Sequence, residues 1–209
     1  MALVKGVNCG FVTVAPTTDP GGYQYAQDTR ALAVRDVAPT GVLKVVEIGW
    51  WCDNATEAAN TEVGIYSHDA GNNKPLNLLG SVDFAKGITL GWKKAAVDIS
   101  ITGGVIYWMA SQLDDTVTQT IITRAYPSGQ YVCDGYPFLT ALPNPWNIPS
   151  ATYSNQVWAI YALWQGAPMK INIGDAWKDV DSMELNIGDV WKDVIEVKQN
   201  IGDVWKTVF

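Results

Sequence analysis

The last 40 residues of the chain repeat one motif three times, and this repetition constrains the fold more than any other feature. Each copy reads Asn-Ile-Gly-Asp-x-Trp-Lys-x-Val, and the three tryptophans stand 14 residues apart at positions 177, 191 and 205. Gly-Asp suits the two-residue turn of a β-hairpin, because glycine readily adopts the positive φ that such turns need. Strand-forming residues flank each turn, so the sequence predicts one hairpin per repeat.

The apolar positions of the repeats need a partner surface. A β-meander of this length buries too little area to offset the ordering of its backbone, which costs roughly 1–2 kcal/mol per residue. We therefore predict a homo-oligomer, first of all a trimer, because three-fold intertwining of β-repeats also removes exposed strand edges. The alternative is that the repeats add a further sheet to a monomeric protein. The residues expected to carry oligomerisation are Trp177, Trp191, Trp205, Ile173, Ile187 and Ile201.

The remainder of the chain carries the signs of an antiparallel β-sandwich. Ten tryptophans and nine tyrosines accompany 19 glycines and ten prolines, a composition typical of short strands joined by tight turns. The nearly continuous apolar run at 105–110 predicts a central strand buried on both faces. We predict an all-β chain, with a jelly-roll-like sandwich over residues 1–167 and a hairpin-repeat module over residues 168–209.

Five prolines lie between residues 127 and 150, and they predict an extended surface loop because proline cannot donate to a sheet ladder. Tyr136 and Trp146 lie in this loop and are the candidate ligand-binding residues, because exposed aromatic rings stack on sugars. Trp50, Trp51 and Trp92 lie in predicted strands, where packing in the core is the favoured interpretation.

Charge and hydropathy argue against two classes of partner. The formal net charge is −7 and the lysines and arginines are scattered singly, so no basic patch is available for nucleic acid. We recognise no signal peptide and no spanning segment, and we expect no membrane insertion. The cysteines at 9, 52 and 133 are odd in number and widely spaced, which favours free thiols, with one disulfide pair as the alternative.

Residues with catalytic potential are few. His68 is the only histidine, which argues against a Ser-His-Asp triad and against multi-histidine metal centres, and we interpret it as a solvated loop residue. Asp114 and Asp115 offer the paired carboxylates of a glycosidase, but they follow a predicted strand end where acidic residues face water. The acidic segment 53–57 lacks the spacing of a calcium loop, so a calcium site is only an alternative. We predict no catalytic residue, no cofactor and no metal, and we expect that the protein is not an enzyme.

The repeats resemble the tandem Gly-x-x-Trp-Lys repeats at the ends of bacteriophage virion and tail-associated proteins, over residues 170–209. The segment 37–114 is similar to jelly-roll modules of phage fibres and bacterial surface proteins, through Ala38-Pro39-Thr40-Gly41, Gly91-Trp92-Lys93 and Ile106-Tyr107-Trp108-Met109-Ala110.

These resemblances imply a virion structural protein of the decoration, fibre or tail-tip type, located in the virion. Its partners would be other copies of itself, other virion proteins and a glycan. The alternative function is a carbohydrate-binding adhesion module, and a depolymerase ranks a distant third.

Overall fold

The computed structural model describes residues 2–27, 29–55, 58–113, 118–124, 131–135 and 139–166, followed by the strand segments 169–173, 176–180, 184–187, 190–193, 198–201 and 204–207. Every regular element in these ranges is a β-strand, which confirms the predicted all-β class. The chain separates into two compact units, Met1–Gln165 and Gly166–Phe209. This division falls two residues before the predicted boundary.

The first unit is built from two sheets. The seven-stranded sheet contains β1 (Gly10–Val12), β2 (Tyr23–Ala26), β4 (Val42–Ala55), β7 (Gly91–Ser100), β9 (Thr118–Arg124), β12 (Gln156–Trp158) and β13 (Ile160–Gly166). The six-stranded sheet contains β3 (Ala31–Val37), β5 (Asn60–Asp69), β6 (Lys74–Ala85), β8 (Ile106–Leu113), β10 (Tyr131–Gly135) and β11 (Ser150–Ser154).

The strand pairs are nested along the chain. Strand β3 pairs with β8, β4 with β7, and β5 with β6, all antiparallel, and successive pairs lie in alternate sheets. One long antiparallel ribbon folded into two layers gives this order, so the predicted β-sandwich is confirmed. Its assignment to the jelly-roll modules stays a prediction.

Strand β4 extends the seven-stranded sheet beyond its partner β7. Its pairing with β7 shifts register between Val45 and Glu47, and its pairing with β9 shifts register between Cys52 and Asn54. Such irregularities bend a strand and increase its twist. Cys52 lies opposite both Gly91 of β7 and Thr120 of β9, so the two strands flank β4 on opposite edges. Strand β9 in turn pairs with both β2 and β12, and its Ile122 lies opposite Tyr23 of β2 and Trp158 of β12.

The main core contains buried side chains from both sheets. Leu32 and Met109 come from the six-stranded sheet and Trp158 from the seven-stranded sheet. Trp50 and Trp51 are also buried, which agrees with the predicted packing in the core. Trp92 is partly buried, and its ring packs edge-on against the Trp51 ring at a centroid distance of 5.5 Å.

A second core covers the opposite face of the six-stranded sheet, where the segment 139–149 packs on small residues of the strands. Trp146 is only 2% exposed, and its ring packs edge-on against Tyr66 at a centroid distance of 5.1 Å. A Cβ atom on Gly135 would approach Cζ2 of Trp146 to 2.9 Å. The remaining buried members of this cluster are Ala31, Ala33, Trp108, Ala110, Cys133 and Leu142.

The predicted surface loop at 127–150 is therefore wrong in two respects. Residues 131–135 form strand β10 inside the six-stranded sheet, and the segment after it is part of a core. The small side chains of alanine, glycine and cysteine on this face of the sheet leave room for a covering segment. Proline is compatible with the irregular backbone of such a segment, because it does not need to donate a ladder hydrogen bond there. Strands with both faces covered read as continuous apolar runs, and the predicted double burial of β8 is confirmed.

The second unit contains three hairpins with one strand pair each. The pairs are β14 (Met169–Ile173) with β15 (Ala176–Val180), β16 (Glu184–Ile187) with β17 (Val190–Asp193), and β18 (Lys198–Ile201) with β19 (Val204–Thr207). The asparagine of each motif lies opposite its tryptophan, as Asn172 lies opposite Trp177. Within the described segments of this unit, strands pair only inside their own hairpin.

Candidate functional site

The two aromatic residues predicted to bind a ligand do not form an exposed pair. Tyr136 lies outside the described residues. Trp146 is buried in the second core, so the expectation of an exposed Trp146 is wrong. The expectation failed because proline content predicts an irregular backbone and says nothing about what that backbone covers.

His68 is part of strand β5 and not of a loop. It is half-buried, and its Nδ1 accepts a hydrogen bond of 3.1 Å from the indole N–H of Trp108. Burial, and next the positive charge of Arg35, lower the pKa of His68 below its ordinary value. The neutral imidazole thus serves as an acceptor that satisfies a buried tryptophan, which is a structural role.

The described part of the chain contains few residues that could serve in acid-base catalysis, thiol chemistry or metal binding. That part holds no group of three or more histidine, cysteine, aspartate or glutamate residues placed to bind a metal. Asp114, Asp115 and Glu57 lie outside it. The cysteines at 9, 52 and 133 are all free and buried, as the predicted free thiols require, and burial raises the pKa of each thiol.

A cavity of about 220 Å³ lies between the two sheets, and β2 and β12 contribute its wall on the side of the seven-stranded sheet. Strands β3, β10 and β11 contribute its other side. Cross-strand register explains the grouping, because Leu32 lies opposite Asp134 and Val132 lies opposite Tyr153, and directly opposed residues share a face. The residues that line the cavity are Tyr25, Leu32, Val132, Asp134, Tyr153, Gln156 and Trp158.

A buried carboxylate forms the polar part of the cavity wall. Asp134 is 2% exposed, and its Oδ2 accepts hydrogen bonds from the Tyr25 hydroxyl at 2.7 Å and from Nη1 of Arg30 at 2.6 Å. The same Arg30 nitrogen donates to the Tyr25 oxygen at 3.1 Å. Burial, followed by the bond to Asp134, raises the pKa of Tyr25 to about 12, so its hydroxyl keeps its proton at neutral pH. The ion pair with Arg30 offsets part of the free-energy cost of burying the charged Asp134 carboxylate.

Two further polar atoms of residues that line the cavity have no hydrogen-bond partner in the described part of the chain. Oδ1 of Asp134 and Nε1 of Trp158 are buried, and neither has a hydrogen-bond partner among the described residues. Leaving a buried donor or acceptor unpaired costs about 1–3 kcal/mol, and natural proteins rarely retain such groups without a role. Tyr153, by contrast, is 42% exposed and stands where the cavity meets solvent.

This arrangement can bind a small polar molecule. It combines an acceptor, a donor and aromatic rings with the aliphatic side chains of Leu32 and Val132. Mostly apolar walls with a few well-placed polar groups are the general composition of ligand sites, although 220 Å³ is below the roughly 300–1,000 Å³ of sites for drug-sized ligands. Sequence reasoning assigned a binding role to none of these residues, and it placed Val132 and Asp134 in the predicted surface loop 127–150.

Comparisons of the chain with protein-family models, with curated proteins and with solved structures found no match. Within the described residues, no helix has the length and apolar character needed to cross a membrane.

Proposed function

We propose that the protein is a non-enzymatic structural component of a virion, of the decoration, fibre or tail-tip type. It assembles through its C-terminal hairpins and presents the β-sandwich. The observation that supports this proposal most directly is that three successive hairpins share one register, with asparagine opposite tryptophan in each. Repetition of one unit at a constant spacing is the mark of surfaces that build an extended contact.

The hairpins supply a reason for self-assembly. Ile173 lies opposite Ala176, whereas Trp177 lies opposite Asn172 in the neighbouring row. Successive pairs of a β-ribbon belong to opposite faces, so the isoleucine and tryptophan positions of each repeat belong to different faces. A two-stranded ribbon is marginally stable alone in water, and a ribbon with apolar residues on both sides gains most from partners on both sides. Copies of the same repeat meet this need in a closed homo-oligomer, with a trimer as the first choice.

The oligomeric state of the full chain tests the proposal. Light scattering behind a sizing column should give a trimer for the native chain and a monomer after Trp177, Trp191 and Trp205 are all replaced by serine. The matched control replaces the next residue of each repeat, changing Lys178, Lys192 and Lys206 to glutamine, and should remain trimeric. A native chain that is monomeric at micromolar concentration would contradict assembly through the repeats.

Placement in a virion needs its own measurement. Particles purified by density from a culture that expresses the protein should contain the chain by mass spectrometry, in a constant ratio to other particle proteins. Antibodies against the sandwich should label the outside of these particles in electron micrographs. Absence of the chain from intact particles would refute the virion proposal and leave the assembly proposal standing.

A second proposed function is glycan adhesion, and the cavity between the sheets favours it. Buried acceptor and donor atoms beside aromatic rings suit the alternating hydroxyl and C–H groups of a sugar. An oligomer would multiply weak single-site binding through avidity, by a factor of about 100 or more when the sites can engage together. Incubation of the fluorescently labelled full chain on a glycan array tests this function, and absence of binding to every glycan would contradict it.

A further inference from the structure

We infer that the cavity lined by Tyr25, Asp134, Tyr153 and Trp158 binds one terminal, uncharged sugar ring. This inference rests on the proposed glycan adhesion and names its site and ligand class. A hydroxyl of the ring donates to Oδ1 of Asp134, and an oxygen of the ring accepts from Nε1 of Trp158.

The unpaired atoms define what the ligand must offer. Oδ1 of Asp134 needs a donor and Nε1 of Trp158 needs an acceptor, and both atoms are buried without a partner among the described residues. Both residues line the same cavity. One molecule with a donor and an acceptor close together satisfies both, and adjacent hydroxyl groups of a sugar ring have this property.

The charge balance selects an uncharged ligand. Asp134 is already paired with Arg30 through Oδ2 at 2.6 Å, so the pair carries no net charge. An anionic ligand would be repelled by Oδ1 of Asp134, the carboxylate oxygen that Arg30 does not bind. A cationic ligand would compete with Arg30 for the same carboxylate. A hydroxyl adds a charge-assisted hydrogen bond without either cost.

The shape of the cavity selects one ring at a chain end. Its volume of about 220 Å³ lies between two packed sheets, and Tyr153 is its most exposed lining residue. A polysaccharide cannot thread through such a space, whereas its last residue can enter while the rest of the chain stays in solvent. Leu32, Val132 and the aromatic rings offer the apolar contacts that the C–H face of a pyranose requires.

Titration of the full chain with single sugars, followed by calorimetry, tests the inference. Neutral hexoses, 6-deoxyhexoses and N-acetylhexosamines form the panel, with sorbitol as an open-chain control and glucuronate and glucosamine as charged controls. We expect at least one neutral ring to bind in the millimolar range, and sorbitol, glucuronate and glucosamine to bind about tenfold or more weakly.

Trp158→Phe is the decisive variant, because it removes an N–H that has no protein partner among the described residues. We expect affinity to fall about tenfold or more. The matched control is Trp50→Phe, since Trp50 is also fully buried, its Nε1 has no partner in the described part of the chain, and it does not line the cavity. Its affinity should equal that of the native chain. Tyr153→Ala alters the exposed mouth without touching the core and should weaken binding at least threefold.

The outcomes separate the inference from the function that it rests on. Glycan-array binding that survives Trp158→Phe and Tyr153→Ala would retain glycan adhesion and overturn the cavity as its site. Absence of binding by every single sugar and by the array would overturn both. Preferential binding of glucuronate or glucosamine would overturn the uncharged ligand class.

Discussion

Replacing Trp146 by alanine should destabilise the protein severely, because the structure places this residue in a core and not on a binding loop. A fully buried tryptophan removes up to about 250 Å² from water, equivalent to about 6 kcal/mol at about 25 cal/mol per Å². Alanine keeps the β-carbon and the covering segment collapses in part, so the expected loss is about 3–5 kcal/mol. With a urea m-value of about 2 kcal/mol per M, the unfolding midpoint should fall by about 2 M.

Urea unfolding of the full chain, followed by circular dichroism, measures this loss. The control is Tyr23→Ala, an aromatic side chain that is 68% exposed, for which we expect a change within about 0.5 kcal/mol. Trp146→Phe should cost less than Trp146→Ala, because it keeps most of the ring and removes an indole N–H that is buried without a partner among the described residues. A midpoint for Trp146→Ala equal to that of the Tyr23 control would refute the second core and restore the exposed-loop interpretation.

Three further predictions concern packing and titration. Gly49→Ala should cost about 1–3 kcal/mol in urea unfolding, because its Cβ would lie 2.5 Å from the Tyr161 ring, whereas Gly71→Ala, with its nearest atom at 3.4 Å, should be nearly neutral. Because the pKa of His68 is lowered in the folded chain, the unfolded chain binds a proton first as pH falls below about 6.5. The free energy of unfolding of the native chain should therefore decrease below that pH more than that of His68→Gln. The same pH dependence in both chains would contradict this prediction. The three buried thiols should react with an aromatic disulfide reagent only in denaturant, and rapid labelling of the native chain would contradict their burial.

Much of the fold could be predicted from local patterns. Turn residues at Pro39–Gly41 separate β3 from β4, and the run at 105–110 became the buried strand β8. The constant spacing of the repeats indicated hairpins, and the backbone forms one hairpin in each repeat. These features depend on neighbours in the sequence, because strand alternation and turn conformation are properties of a few consecutive residues.

The candidate site could not be predicted in the same way. Tyr25 and Asp134 are 109 residues apart and meet through a hydrogen bond that no periodicity marks. Their meeting depends on the pairing of β2 with β9 in one sheet and of β10 with β3 in the other, and on the packing of the two sheets that places both residues at one cavity. Pairing between strands so distant in the sequence is decided when whole sheets pack around a common core.

The sequence by itself determined an all-β chain, one central strand buried on both faces and a tandem array of hairpin-sized repeats. The tertiary structure alone decided that Trp146 is covered and that Asp134 and Trp158 share a cavity. The physical reason is that burial and pairing of a side chain depend on which residues face it across the sheets. In this protein those residues come from distant parts of the chain.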